Sequence, residues 1–131
     1  MRVIFLFALL LAGAASADDR PMTGAEFEAY STGKTLTYAD NGQVYGIEQY
    51  LPNRRVRWAF VDDTCRIGYW YENGQEICFV YEHDATPQCW TFHLNEGKLK
   101  ARFVADPPRA ALSEVNQTPE PLLCTGPDVG V

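Results

Sequence analysis

The stretch Gly68-Tyr69-Trp70-Tyr71-Glu72-Asn73-Gly74-Gln75-Glu76-Ile77-Cys78-Phe79-Val80-Tyr81 decides the fold. Two runs of aromatic and β-branched residues flank Asn73-Gly74, the dipeptide that most strongly signals a tight hairpin turn. They read as strands over Cys65–Tyr71 and Glu76–Glu82. Upstream, Lys34–Ala39 is followed by the turn Asp40-Asn41-Gly42, Gln43–Tyr50 by Leu51-Pro52-Asn53, and Arg55–Val61 by Asp62-Asp63-Thr64. Downstream, Cys89–Leu94 turns at Asn95-Glu96-Gly97 into Lys98–Val104. Turn signals recurring every 8 to 12 residues or so predict a mostly β domain, an antiparallel meander forming a small barrel or a sandwich. One short helix precedes it: Thr23-Gly24-Ala25-Glu26 is a capping-box pattern, Phe27 and Tyr30 share a face, and Gly33 supplies the stop.

Alternation selects the core face. Leu99, Ala101 and Phe103 alternate with Lys98, Lys100 and Arg102, and pairing back through the turn adds Leu94, Phe92 and Trp90. The neighbouring hairpin contributes Ile77, Phe79, Tyr81 and Trp70, while Val56, Trp58 and Phe60 form a matching stripe. Aromatic rings thus carry most of the core, as a small domain short of buried area requires. Ala105–Pro121, with prolines at both ends, reads as an ordered crossing with a short strand near Leu112–Val115.

The chain opens with Arg2, an apolar run over Val3–Ala12 and the small residues Ala15-Ser16-Ala17, the pattern of an export signal over 1–17 cut between Ala17 and Asp18. The run is shorter than the ~20 residues a membrane span needs. Ala14 stands where a lipid-bearing cysteine would be, so no membrane anchor is expected. A single domain over 18–131, periplasmic or secreted, follows. Removing the leader takes away Arg2 and no acidic residue, leaving ten basic against seventeen acidic side chains, a formal charge of −7. That balance excludes nucleic acid as a partner and suits a soluble monomer.

Four cysteines in an exported chain read as a disulfide framework with three possible connectivities. Cys78 and Cys89 would face each other across a hairpin turning near His83-Asp84-Ala85-Thr86-Pro87, leaving Cys65 to join Cys124. On this reading Cys124→Ser would free the chain from about Ala105 onward. No C-x-x-C pair is present, so no metal site and no cofactor are expected.

No catalytic constellation stands out. His83 falls at a turn and His93 on an outward strand face, both read as surface histidines. Glu48, Glu72, Glu76 and Glu82 lie on or beside strands and read as solvated edges. The outward face of the same register collects Arg57, Ile67, Tyr69, Tyr71, Thr91, His93, Lys100 and Arg102. Of these, Arg57, Tyr69, Tyr71, His93, Lys100 and Arg102 form a candidate binding face, since cationic and aromatic groups together can hold an anionic or sugar-like ligand or dock a protein.

At Gly68-Tyr69-Trp70, Cys78-Phe79-Val80-Tyr81, Gln88-Cys89-Trp90, Met22-Thr23-Gly24-Ala25-Glu26-Phe27 and Leu123-Cys124-Thr125-Gly126-Pro127 the chain resembles a group of small exported alphaproteobacterial proteins. The resemblance covers nearly all of the chain after the leader. It implies a helix start, a hairpin disulfide and a tail disulfide, and brings no catalytic residues. Small periplasmic lysozyme inhibitors share the size and the disulfide-braced β architecture, but their characteristic inhibitory loop is absent here. The sequence therefore reads as a non-enzymatic binding module for a protein or glycan ligand, using the outer face or a sheet end. Its alternatives are a small cell-wall glycan hydrolase with paired strand carboxylates and an inhibitor of a basic lytic enzyme.

Overall fold

In a computed structural model describing residues 19–61, 64–105 and 111–124, the hairpin that anchors the sequence reading forms between Arg66–Asn73 and Glu76–Tyr81. Its turn is one residue further on than expected. Asn73 pairs with Glu76, so the two central residues are Gly74 and Gln75, and Gly74 takes the positive φ of +61°. A left-handed glycine at the first central position matches the strand twist. The move shifts pairing by two residues, so Trp70 opposes Phe79 and the inward face is unchanged.

The strands are β1 (Thr35–Asp40), β2 (Gln43–Leu51), β3 (Arg55–Phe60), β4 (Arg66–Asn73), β5 (Glu76–Tyr81), β6 (Asp84–Asn95), β7 (Lys98–Phe103) and β8 (Leu112–Thr118). Each pairs antiparallel with the next, and β8 returns to β1, closing an eight-stranded up-and-down barrel. Of the two expected architectures, the barrel is the one formed. Two expected strands were too short. β6 begins at Asp84, because the chain reverses at Glu82-His83 and Pro87 is absorbed in a shift of register against β5. Proline lacks an N–H, which a bulge does not need. β8 runs seven residues and is the closing strand, not a stub on a crossing.

A helix α1 (Gly24–Ser31) precedes β1. Thr23 Oγ1 accepts from the Glu26 N–H at 3.2 Å, and the Thr23 N–H donates to Glu26 Oε1 at 3.0 Å. The Arg20 guanidinium and these Thr23 contacts hold the Glu26 carboxyl down to about 2. Gly24, Phe27 and Ser31, three and four residues apart, make the buried face. That face lies across one end of the barrel. The Phe27 ring centroid is 4.4 Å from Phe92, 5.1 Å from Trp70 and 5.5 Å from Tyr50. Around it the Gly24 N–H donates to Glu72, Tyr30 Oη donates to Glu114 Oε2 at 2.7 Å, and the Met22 N–H donates to the Phe92 carbonyl at 2.7 Å. One end of the barrel is plugged.

The disulfides are Cys78–Cys89 and Cys65–Cys124, as the register argument expects. The first bridges opposed residues of β5 and β6. The second holds the tail after β8 against the outside of β2 and β3, where Leu122 and Cys65 are buried with Ala59. Thr35 Oγ1 donates to the Glu120 carbonyl at 2.6 Å on the way.

Because β8 is built into the barrel, losing the tail bridge cannot release the chain from Ala105. We expect Cys124→Ser to loosen only the segment after Thr118, at roughly 2–4 kcal/mol. Limited proteolysis checks this: cuts should fall beyond residue 118, and a cut before Leu112 as the first event would contradict it.

Candidate binding site in the barrel lumen

Inward positions follow from the pairing: Leu36 and Tyr38 on β1, Glu48 and Tyr50 on β2, Val56, Trp58 and Phe60 on β3, then Trp70, Ile77, Phe79, Tyr81, Trp90, Phe92, Leu99, Ala101, Leu112 and Glu114. The rings of Tyr50, Phe79 and Phe92 rest on Phe27 and form a floor. Above them the lumen holds a cavity of about 80 Å³ that opens at the end opposite α1. Its walls include Tyr38, Glu48, Trp58, Tyr81 and Trp90, and its mouth is ringed by Tyr45, Phe60, Arg66, His83 and Gln88. Tyr45, Trp58 and Phe60 form a cluster with centroids 5.4–5.9 Å apart. Nine of the fifteen lining residues are aromatic, and one is a carboxylic acid.

Two glycines make this packing possible. A β-carbon on Gly46 would lie 2.3 Å from the Trp58 ring, and one on Gly68 would lie 2.8 Å from the Tyr81 ring. At Gly46 the Trp58 ring would have to move, and at Gly68 the β-carbon would also meet the Val80 carbonyl at 2.4 Å, so the neighbouring strand would have to shift. Glycine inside a strand marks such close approach.

The polar groups are arranged in two pairs. Tyr81 reaches across the lumen from β5, its hydroxyl lying 3.0 Å from Glu48 Oε1 and 3.3 Å from Oε2. Tyr38 and Tyr50 join their hydroxyls at 2.8 Å. Burial pushes the Glu48 carboxyl up to about 8, against the opposing effect of the Tyr81 hydrogen bond. Burial likewise raises Tyr38, Tyr50 and Tyr81 well above the usual phenol range. All four groups are therefore protonated at neutral pH. One hydrogen bond within each pair uses one of its two polar hydrogens, so each pair keeps a donor for a guest.

The residues singled out from sequence are not brought to one place. Tyr69 and Tyr71 lie together on the outside of β4, 6.5 Å apart, with Tyr69 exposed. His93 and Lys100 oppose each other on β6 and β7, and Arg102 opposes Thr91. Arg57 is on β3, four strands from β7. In an eight-stranded barrel four strands is half the circumference, so closure puts Arg57 and Lys100 on opposite walls. The expected face divides into separate patches. The strand carboxylates also separate: Glu48 is inside the lumen and not a solvated edge, Glu72 meets the plug, Glu76 lies beside the Cys78–Cys89 bridge, and Glu82 is in an exposed turn. The cluster Glu76, Cys78 and Cys89 has its ligand atoms within 4.8 Å, but both sulfurs are spent in the disulfide. His83, read as a surface histidine, stands at the cavity mouth 6.2 Å from the Tyr81 ring.

Glu48 and Tyr50 were missed because β2 shows no clean polar–apolar alternation, whereas Tyr38 was legible in the alternation Thr35-Leu36-Thr37-Tyr38 of β1. The signal lay in the next strand: pairing β2 onto the Val56-Trp58-Phe60 stripe puts Glu48 opposite Trp58. No family model, no curated protein and no solved structure matches the chain.

A carboxyl held neutral inside the fold makes stability depend on pH. Between about pH 4.5 and 8 the unfolded chain ionises Glu48 while the native one keeps its proton. The native state then binds more protons, so stability falls as pH rises through that window and levels off above it. We expect a loss of roughly 2–5 kcal/mol across the window. Urea unfolding of wild type and Glu48→Gln from pH 4 to 9 checks this. The variant should lack this decline, and parallel curves would refute it.

Proposed function

We propose that this protein is an exported, non-enzymatic binding barrel. It takes a small ligand with an aromatic or apolar body and a polar end through the open mouth. One observation carries the reading: a lumen plugged at one end by α1 and open at the other, with aromatic walls and two buried polar pairs, Tyr81–Glu48 and Tyr38–Tyr50. Such concave, largely apolar sites with few placed polar groups are the usual form of small-molecule pockets. The enclosed volume is about half the ~150 Å³ of an apolar cavity known to admit benzene. Only a head group of a few heavy atoms goes in, and the remainder lies on Tyr45 and Phe60 at the mouth.

Other properties support the surrounding role. Two disulfides belong to an oxidising compartment. The closed barrel offers no strand edge to a second copy, which agrees with a monomer. Among the described residues Glu48 is the one carboxyl that lines the cavity, and the other interior carboxyl, Glu114, is taken up by Tyr30, Leu99 and Gln117, which supports binding over hydrolysis by paired carboxylates.

Amide and side-chain NMR of the mature protein during titration with benzyl alcohol and n-butanol tests the reading. Shifts should map to Trp58, Trp90 and Ala101 and spare Tyr69, Tyr71 and Lys100. Ala101→Leu, which extends a buried side chain into the lumen, should weaken binding about tenfold or more. Shifts confined to the outer strands would remove the lumen from consideration.

A further inference from the structure

Resting on that reading, we propose that the ligand's inserted end is an organic cation, an ammonium or quaternary ammonium group, seated among the rings beside Glu48. Three observations point to it. First, the inner cavity shows aromatic side chains on most sides: Tyr50, Trp58, Phe79, Tyr81, Trp90 and Phe92. The faces of such rings are negative, and several around one point form the arrangement that holds alkylammonium groups. Second, the one carboxyl group among the described lining residues projects into that box, and among the described residues it has a single hydrogen-bonding partner, the Tyr81 hydroxyl. Third, after loss of the leader the chain is acidic overall, which draws cations toward the domain.

The occupant explains the carboxyl. An empty apolar box gains nothing from a buried acid, and an acceptor-bearing neutral guest would be served by the Tyr38–Tyr50 pair alone. A cation entering the box displaces the Glu48 proton to solvent and leaves a carboxylate–ammonium contact, with Tyr81 donating to the carboxylate. No other bond changes. The groups facing Glu48 are Tyr38 from β1, Tyr50 from β2 and Tyr81 from β5, with the Glu114 charge felt from β8 through Tyr38. The three phenols stay neutral, so the proton released is that of Glu48. Arg66, half-buried on β4 opposite Trp58, and the exposed His83 line the mouth.

Titration calorimetry of the mature protein with benzyltrimethylammonium, benzyl alcohol and benzoate tests this. All share the ring and differ in the charge of the end group. At pH 8.5 the cation should bind at least about tenfold more tightly than benzyl alcohol, and benzoate least. Binding should release close to one proton at pH 7, and the cation's Kd should improve about tenfold from pH 6 to pH 7 before levelling near pH 8. In Glu48→Gln the preference for the cation over benzyl alcohol should disappear along with its pH dependence. Benzyl alcohol or benzoate binding as well as the cation would overturn the cation assignment while leaving the lumen site in place. Binding of none of the three, with tetramethylammonium and n-butanol also silent, would overturn both.

Discussion

The pairing of β8 with β1 is the contact on which everything else in the molecule depends. Thr35–Ala39 and Ser113–Thr118 are joined in an antiparallel ladder with one shift of register. Without it the meander would be an open sheet with two unpaired edges and one wet face. With it, every strand is paired on both sides, and the inward side chains of all eight share a single interior. Leu112 and Glu114 enter that interior only because β8 completes the wall. The outer tail depends on closure too, since Leu122 is carried to its place over β2 and β3 by the strand before it.

Closure alone would give a tube with two equivalent ends. Phe27 breaks the symmetry. It is fully buried, touches rings from β2, β4, β5 and β6, and is held by a helix whose start is tightly capped. Truncating a buried phenylalanine costs about 3–5 kcal/mol, a large share of the 5–15 kcal/mol available to a domain. A plug that strong makes the opposite end the entrance. The aromatic core that a small chain needs for stability then doubles as the wall of the cavity.

Much of this was legible in the residues. The capping box, the hairpin, the Cys78–Cys89 bridge and the inward stripes on β3 to β7 came from local rules of spacing and turn chemistry, and the Cys65–Cys124 bridge followed by elimination. What failed to show had long-range causes. The length of β8 could not be read from Leu112–Thr118, because its polar residues make sense only against β1. The grouping of Arg57 with Lys100 assumed a flat sheet, and curvature into a barrel sends them to opposite walls. Glu48 looked like one more acidic strand residue among seventeen acidic side chains. Its burial is a property of the partner Trp58 and of Tyr81 three strands away, not of its own segment.

The barrel interior contains a second buried carboxyl, and the contrast between the two supports the proposed guest beside Glu48. Glu114 accepts from the Leu99 N–H at 2.8 Å, from Tyr30 Oη at 2.7 Å and from Gln117 Nε2 at 2.8 Å. Those donors come from β7, α1 and β8, so the group ties the plug to the wall. That is a structural use of a buried acid, satisfied on all sides. Among the described residues Glu48 receives only the Tyr81 hydroxyl, and it faces open volume. Removing a carboxyl from water with one partner is unfavourable, and a hydrophobic side chain of similar size would serve packing better. A small domain with little stability to spare retains it where the wall is otherwise aromatic. Local rules are broken in this way where a site is made for something that the chain itself does not supply.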